Sequence, residues 1–435
     1  MNSDNKIISL EEALSFIKSG DHVVTGLGAG EAKLFLENLH TIADRVNNVT
    51  ITNSLSMLQP KFYEAQYKNS FNIDSMFFSP VTRSSHKNGN VHYVPNHLYL
   101  SASDRMKHIT PDIFIGSATP PDKHGFMSLS LSNVYETQFI ENAKLVILEI
   151  NENFPRTFGD NEIHIDDVDY LVKADYQPPL LPEIEPNEKD LKIGKLIAEH
   201  IQDGDTIQLG IGGIPNAVAA CLKDKRDLGI HTEIMTTGML DLIEQGVVTG
   251  KRKSLHRGKV VFSFALGSQR LYDYLDDNPS VIVGRGSYVT DPYVISQNDN
   301  MVSINTAIEV DLTGQVCSES IGHAQFSGTG GQFTTAVGAQ MAKNGRSIIA
   351  LYSSFTAKNE QGERVEMSKI VPSLKPGSIV TLTRNSVDMV ATEYGIVSLE
   401  GTNVKERVER LISIAHPSFR DQLRAEAISC GLLVE

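Results

Sequence analysis

The feature that most constrains this chain is that it repeats itself. ISLEEALSFIKSGDHVVTGLGAG (8–30) sets an apolar helical face, a Gly20-Asp21 turn, a short apolar strand and a glycine loop in fixed order. LKIGKLIAEHIQDGDTIQLGIGG (191–213) repeats that order, laying Gly204-Asp205 on Gly20-Asp21, Gly210 on Gly26 and Gly212 on Gly28 at a shift of 184 residues. Ser9 and Glu12 have capping-box spacing at the first helix, with Leu10, Leu14 and Ile17 on one face. NVTITNS (48–54) then matches GIHTEIM (229–235), DKHGFMS from Asp122 matches DLTGQVCS from Asp311, and AKLVILEIN (143–151) matches RSIIALYSS (346–354). An ordered series of this kind indicates an internal duplication, with one α/β unit per copy.

The copies are separated by YQPPLLPEIEPNEK (176–189), where Pro178, Pro179, Pro182 and Pro186 remove backbone donors and fix φ. This predicts a domain over residues 1–175, a linker over 176–189 and a second domain over 190–435. The strands HVVTGLG, KLVILEI and SIIALYS lack period-two alternation, as in sheets buried on both faces. Two similar open, largely parallel α/β sheets follow, with ligands expected at the carboxyl ends of their strands.

Composition bounds the partners. A net charge of −14 argues against a nucleic-acid partner, which needs a basic surface, and leaves room for small anions held by backbone dipoles. There is no apolar run long enough for a membrane span and no signal-peptide pattern at the MNSDNK start, so the expected address is cytoplasmic. Cys221, Cys317 and Cys430 form no CxxC pair and read as packed thiols, with no metal site expected.

Four stretches can carry chemistry. In LGIGGIPNAVAACL (209–222) a strand runs through glycines into a helix opened at Pro215 or Asn216, an arrangement that cradles anions or an oxyanion. It is a poor dinucleotide fingerprint, because Pro215 stands where the third glycine belongs, and it lacks the GK[ST] of a phosphate loop. In HTEIMTTG, Glu233 ends a strand whose first-half counterpart carries Thr52, so one copy alone has a carboxylate there. SGTGGQF (327–333) allows close ligand approach, and Glu393 in VATEYGIVSLEG sits by the same sheet end. His231 is read as a packing residue.

Taken together, GIGGIP, GIHTE, SINTAIEVDLTGQVCSE, SGTGGQF, TEYGIVSLEG and IAHPSFR resemble the acetyl-CoA hydrolase/transferase family of class I coenzyme A transferases, over nearly the whole chain. Within it the chain looks most like 4-hydroxybutyrate CoA-transferases, with butyryl-CoA:acetate enzymes near. The resemblance implies NagB/RpiA-like domains with the active site at their interface, and a homodimer or higher homo-oligomer. It implies acyl-CoA and a short-chain carboxylate as substrates, with coenzyme A itself a substrate and no prosthetic group. It also implies that Glu233 is the nucleophile, ionised at neutral pH, and that Asn305 and Glu393 are catalytic-site residues. Gly210, Ile211, Gly212, Gly213, Ile214, Gly330 and Gly331 would bind the thioester oxygen or CoA, Lys358 the CoA phosphates, and Arg156 would face the site from the first domain. Acyl-CoA hydrolysis and a non-catalytic metabolite-binding regulator are the alternatives the sequence leaves open.

Overall fold

The computed structural model describes residues 3–358 and 362–434. Each copy forms its own sheet. The first has seven parallel strands in the order Val91–Tyr93, Phe71–Ser75, Val49–Asn53, His22–Thr25, Ile113–Ala118, Leu145–Ile150, Tyr170–Lys173. The second runs Gly229–Ile230, Thr206–Leu209, Met301–Thr306, Arg346–Ala350, Met389–Thr392, and ends in an antiparallel edge strand, Gly395–Ser398. All six residues of Ile113–Ala118 are buried, as an apolar run covered on both faces requires. Burying one such aliphatic side chain stabilises the fold by roughly 1.5–3 kcal/mol. In both sheets the strand order reverses beside the first strand of the copy, which opens a crevice at that strand's carboxyl end.

The duplication is visible in individual hydrogen bonds. Gly20 and Gly204 share a φ of +86°, a left-handed conformation that favours glycine. Each N–H reaches the opposing loop, Gly20 to the Asn47 carbonyl and Gly204 to the Arg226 carbonyl, both at 2.9 Å. The following aspartates accept equivalent bonds, Asp21 from Lys18 N–H and Asp205 from Gln202 N–H, both at 2.7 Å. The Asp122 and Asp311 turns agree just as closely: each carboxylate accepts two backbone N–H groups, two and four residues on.

The strand matches are corrected. Thr206 pairs with Gly229 as its counterpart His22 pairs with Thr50, so Gly229 corresponds to Thr50 and Glu233 to Ser54, not to Thr52. The 143–151 match is also two residues out, since Ile113 pairs with Leu145 and Val302 with Arg346. A two-residue slip keeps every side chain on its face, so hydrophobic pattern does not detect it.

Helix boundaries also differ in detail. Asn187 caps a helix over Glu188–Glu199, so the last two residues of the expected linker are helical. The helix after the glycine loop starts at Gly213, earlier than expected. Cys317 is buried, but Cys221 is half-buried and Cys430 exposed, so the packed-thiol reading does not extend to Cys430. Among the described residues no helix is long and apolar enough to cross a membrane.

The two copies share a core. Ala265 N–H donates to the Leu131 carbonyl and Asn133 N–H to the Ser263 carbonyl, each at 2.8 Å, while Val283 exchanges bonds with Phe158 and Asp160. One apolar cluster runs from Val24 and Phe114 in the first copy to Leu209, Phe264 and Ile348 in the second. This holds the carboxyl ends of the two sheets against a common cavity.

Candidate active site

The cavity has a volume of about 400 Å³ and draws its walls from both copies. Leu27, Ser54, Leu55 and Phe77 to Pro80 follow strands of the first sheet, while Gln208, Gly210, Glu233 and Asn305 to Ile308 lie at strand ends of the second. Ser318 and Phe326 to Gln332 close one side.

Glu233 lies between the short strands Gly229–Ile230 and Ile234–Met235. Its carbonyl accepts Ser263 N–H at 3.0 Å and Phe264 N–H at 3.1 Å, which fixes the backbone while the side chain turns to the cavity. The carboxylate accepts the Gly331 N–H at the start of the helix Gln332–Met341, whose dipole also favours negative charge there. Burial outweighs that bond and pushes the carboxyl up to about 7. The sequence implies full ionisation at neutral pH; burial works against it and favours the protonated form.

Gly331 has φ −88°, which any residue adopts, so glycine is there for space: a Cβ would overlap Glu233 Oε2. Gly330 is different, with φ +55°. The loop carrying both glycines is held by the first copy. Tyr93 Oη donates to buried Glu319 at 3.0 Å, and Glu319 also accepts the Thr329 hydroxyl at 3.2 Å. Phe78 N–H donates to the Ser327 carbonyl at 3.4 Å, and Arg83 Nη1 to the Phe326 carbonyl at 2.6 Å.

Asn305 lines the cavity with its amide braced from behind. Its Nδ2 lies 2.9 Å from Ser303 Oγ, 3.1 Å from Thr335 Oγ1 and 3.2 Å from Gln208 Oε1. Gln208 Oε1 in turn accepts Ile304 N–H at 3.2 Å, so this cluster positions the asparagine rather than leaving it mobile.

Of the residues expected to bind CoA, Gly210, Ile211, Gly330 and Gly331 line the cavity. Ile211 also borders a groove of about 200 Å³ that Gly212 lines with the linker residues Leu181 to Pro186. Gly213 packs against Asp190 and Ile214 is buried in the core, so neither faces the cavity. Lys358 ends the exposed hairpin Ser354–Lys358/Arg364–Ser368, opposite Arg364 and outside the cavity; residues 359–361 beyond it lie outside the described residues. Glu393 is likewise not a wall residue. Its carboxylate accepts the Ser353 N–H and hydroxyl, both at 2.9 Å, and pairs with Lys189 at 3.5 Å. Arg156 binds Asp122 at 2.9 Å and braces that turn instead of facing the site. His231 is buried with Nε2 2.8 Å from the Val289 carbonyl, and burial pushes its pKa down to about 3.

The sequence did not single out Gln208, Ser54, Leu55, Phe77, Phe78 or Arg83. A register taken from the turns would have exposed Ser54, but nothing in SPVTRSSH marks Arg83 as more than a surface helix residue. Among the described residues no three His, Cys, Asp or Glu side chains cluster to hold a metal ion.

Residues 2–182 match the acetyl-CoA hydrolase/transferase N-terminal domain, and residues 267–427 match the C-terminal domain of the same family. The 4-hydroxybutyrate coenzyme A transferase of Clostridium kluyveri is 39% identical over 97% of each chain. The chain belongs to the acetyl-CoA hydrolase/transferase family. It is thus an enzyme of the CoA-transferase kind. Solved structures of similar proteins include RipA from Yersinia pestis, at TM-score 0.91 and 35% identity over 99% of each chain. Another is the 4-hydroxybutyrate CoA-transferase of Porphyromonas gingivalis, at TM-score 0.79 and 32% identity over 98% of each chain. In this member of the family the Glu233 carboxylate lies at a helix N-terminus inside a cavity walled by both copies.

Proposed function

We propose that this chain moves coenzyme A from an acyl-CoA to a short-chain carboxylic acid, with 4-hydroxybutyrate the first acceptor to test, through a thioester on Glu233. The observation that carries the reading is the Glu233 carboxylate, set against the Gly331 N–H in a cavity walled by both copies. The name of the Clostridium kluyveri relative supports the choice of acid.

The steps follow from the chemistry of a carboxylate nucleophile. A Glu233 oxygen attacks the thioester carbonyl, the carbon–sulfur bond breaks, and CoA leaves as thiolate, giving a mixed anhydride. The thiolate attacks the Glu233 carbonyl carbon and expels the first acid, leaving glutamyl-CoA. The second acid reverses both steps. Backbone donors at Gly330 and Gly331 suit the oxyanion that forms each time, and one such donor is worth roughly 3 kcal/mol. The apolar walls of Phe77, Phe78 and Phe264 keep water from the anhydride and thioester. Ping-pong kinetics follow, with coenzyme A as substrate and no prosthetic group.

The test is to incubate the enzyme with acetyl-CoA or butyryl-CoA, reduce with borohydride and locate the modified peptide. Modification at Glu233, with little free CoA released until an acid is added, is expected. A label elsewhere, or steady CoA release without acceptor, would overturn the reading, the latter in favour of hydrolysis.

The raised carboxyl gives a second expectation. Only ionised Glu233 attacks, so kcat/KM for acyl-CoA should fall about tenfold per pH unit below about 7 and level off above it. A profile flat from pH 5.5 to 8.5 would contradict this.

A further inference from the structure

Glu233 and Arg83 are the two charged side chains in the cavity wall, one from each copy. Arg83 stands on the helix Pro80–His86, capped by Ser79. Its guanidinium lies 4.3 Å from the Phe326 ring centroid, and Nη1 donates to the Phe326 carbonyl at 2.6 Å. Stacking and that bond fix the plane of the group. Among the described residues Arg83 has no ion pair, and its Nε and Nη2 have no acceptor. Those two nitrogens form the edge by which a guanidinium takes a carboxylate side-on, or donates to a hydroxyl oxygen.

The remaining walls explain why this edge matters. Leu27, Leu55, Phe77, Phe78 and Leu98 offer no hydrogen bond to the far end of a bound acid. An acid whose carboxyl group reacts at Glu233 therefore meets, on the first-copy side, mainly apolar surface, the serines Ser54 and Ser79, of which Ser79 is engaged in capping the helix Pro80–His86, and a single cation, Arg83.

We propose that Arg83 reads the distal end of the acid substrate, favouring short acids that carry an oxygen there, a hydroxyl or a second carboxylate, over plain alkyl acids of the same length. The proposal rests on the transferase reading above and adds the substrate class. Nη1 stays with Phe326, and Nε and Nη2 donate to the distal oxygen. No bond of the reaction is touched, so Arg83 governs selection and Glu233 the chemistry.

The experiment measures kcat/KM for 4-hydroxybutyrate, succinate and butyrate with acetyl-CoA as donor, in the wild-type enzyme, Arg83→Gln and Arg83→Lys. The wild-type enzyme should favour at least one of the two oxygenated acids over butyrate. In Arg83→Gln that preference should drop roughly 10–100-fold, the range for a lost hydrogen bond to a charged group. Arg83→Lys separates the two sources: a retained charge without the fork should recover succinate more than 4-hydroxybutyrate. Equal use of butyrate by the wild-type enzyme, or an unchanged preference in Arg83→Gln whatever its absolute rate, would overturn the proposal. Absence of CoA transfer to any of the three acids would instead count against the transferase reading itself.

Discussion

Glu233→Ala is expected to lower CoA transfer by about 10⁴-fold or more, the scale on which deletion of a covalent nucleophile acts. Glu233→Asp keeps the charge but withdraws the carboxylate by one methylene from the Gly331 N–H. A displacement of that order costs about 10²-fold when reacting atoms must be aligned. The loss will not come from unfolding. Burial raises the Glu233 carboxyl from 4.5 to about 7, so the folded protein holds a proton there that the unfolded chain has released. The stabilising contribution of that proton is complete below about pH 4.5 and is lost as pH rises through about 7. Above that range the buried charge costs about 3 kcal/mol by the shift, an order-of-magnitude figure. Glu233→Gln should therefore melt higher than the wild-type enzyme at pH 8 while being inactive. Thermal melts alongside turnover assays check both halves of the expectation, and a Glu233→Gln enzyme with transfer near the wild-type level would refute the assignment.

Gly331→Ala should be nearly as damaging for a different reason. The backbone at φ −88° accepts alanine without strain, so the effect arises from the added methyl group meeting Glu233 Oε2. Either the carboxylate swings away from its donor or the start of the helix Gln332–Met341 shifts. Both separate the nucleophile from the N–H that steadies it, and a loss of 10²–10³-fold in kcat is expected from losing one donor. Overpacking of this kind typically costs 1–3 kcal/mol of stability, which leaves a folded enzyme. Gly330→Ala makes the contrast, because its left-handed φ of +55° penalises alanine in the backbone. Its melting temperature should fall, with a smaller loss of kcat. A Gly331→Ala enzyme with ordinary turnover would show that the methyl group finds room.

Much of the fold and of the site is legible in the sequence, and the reason lies in the kinds of signal involved. Turns such as Gly20-Asp21 and Gly204-Asp205 are directional: a positive φ and a carboxylate capping a defined N–H allow one register, so sequence matches there hold to the atom. Strands such as 48–54 carry only face and apolarity, which survive a two-residue slip. That is why Ser54 was hidden behind Thr52. Family resemblance pointed to the glycine loops and Glu233, which do meet at the cavity. It did not fix which polar residue near the sheet end faces inward. Glu393 and Arg156 are both bound by neighbours of their own, Ser353 with Lys189 and Asp122, contacts made over 34 or more residues of sequence and thus invisible in local pattern. Arg83 was missed for a similar reason, since what places it in the cavity wall is its contact with Phe326, 243 residues away in sequence.

The corrected register has a consequence for how such an enzyme can diverge. The place that Glu233 occupies in one copy is filled in the other by Ser54, followed by Leu55 at φ +50°, a costly conformation for a leucine. Glu31 holds the turn beyond it by accepting Met57 N–H at 2.8 Å and Leu58 N–H at 3.3 Å. The copy without that carboxylate thus contributes wall to the cavity that holds it. If Glu233 reacts and Arg83 selects, as proposed above, the two tasks fall on separate halves of the chain, and drift in the first would change which acid is accepted while the carboxylate of the second stays as it was.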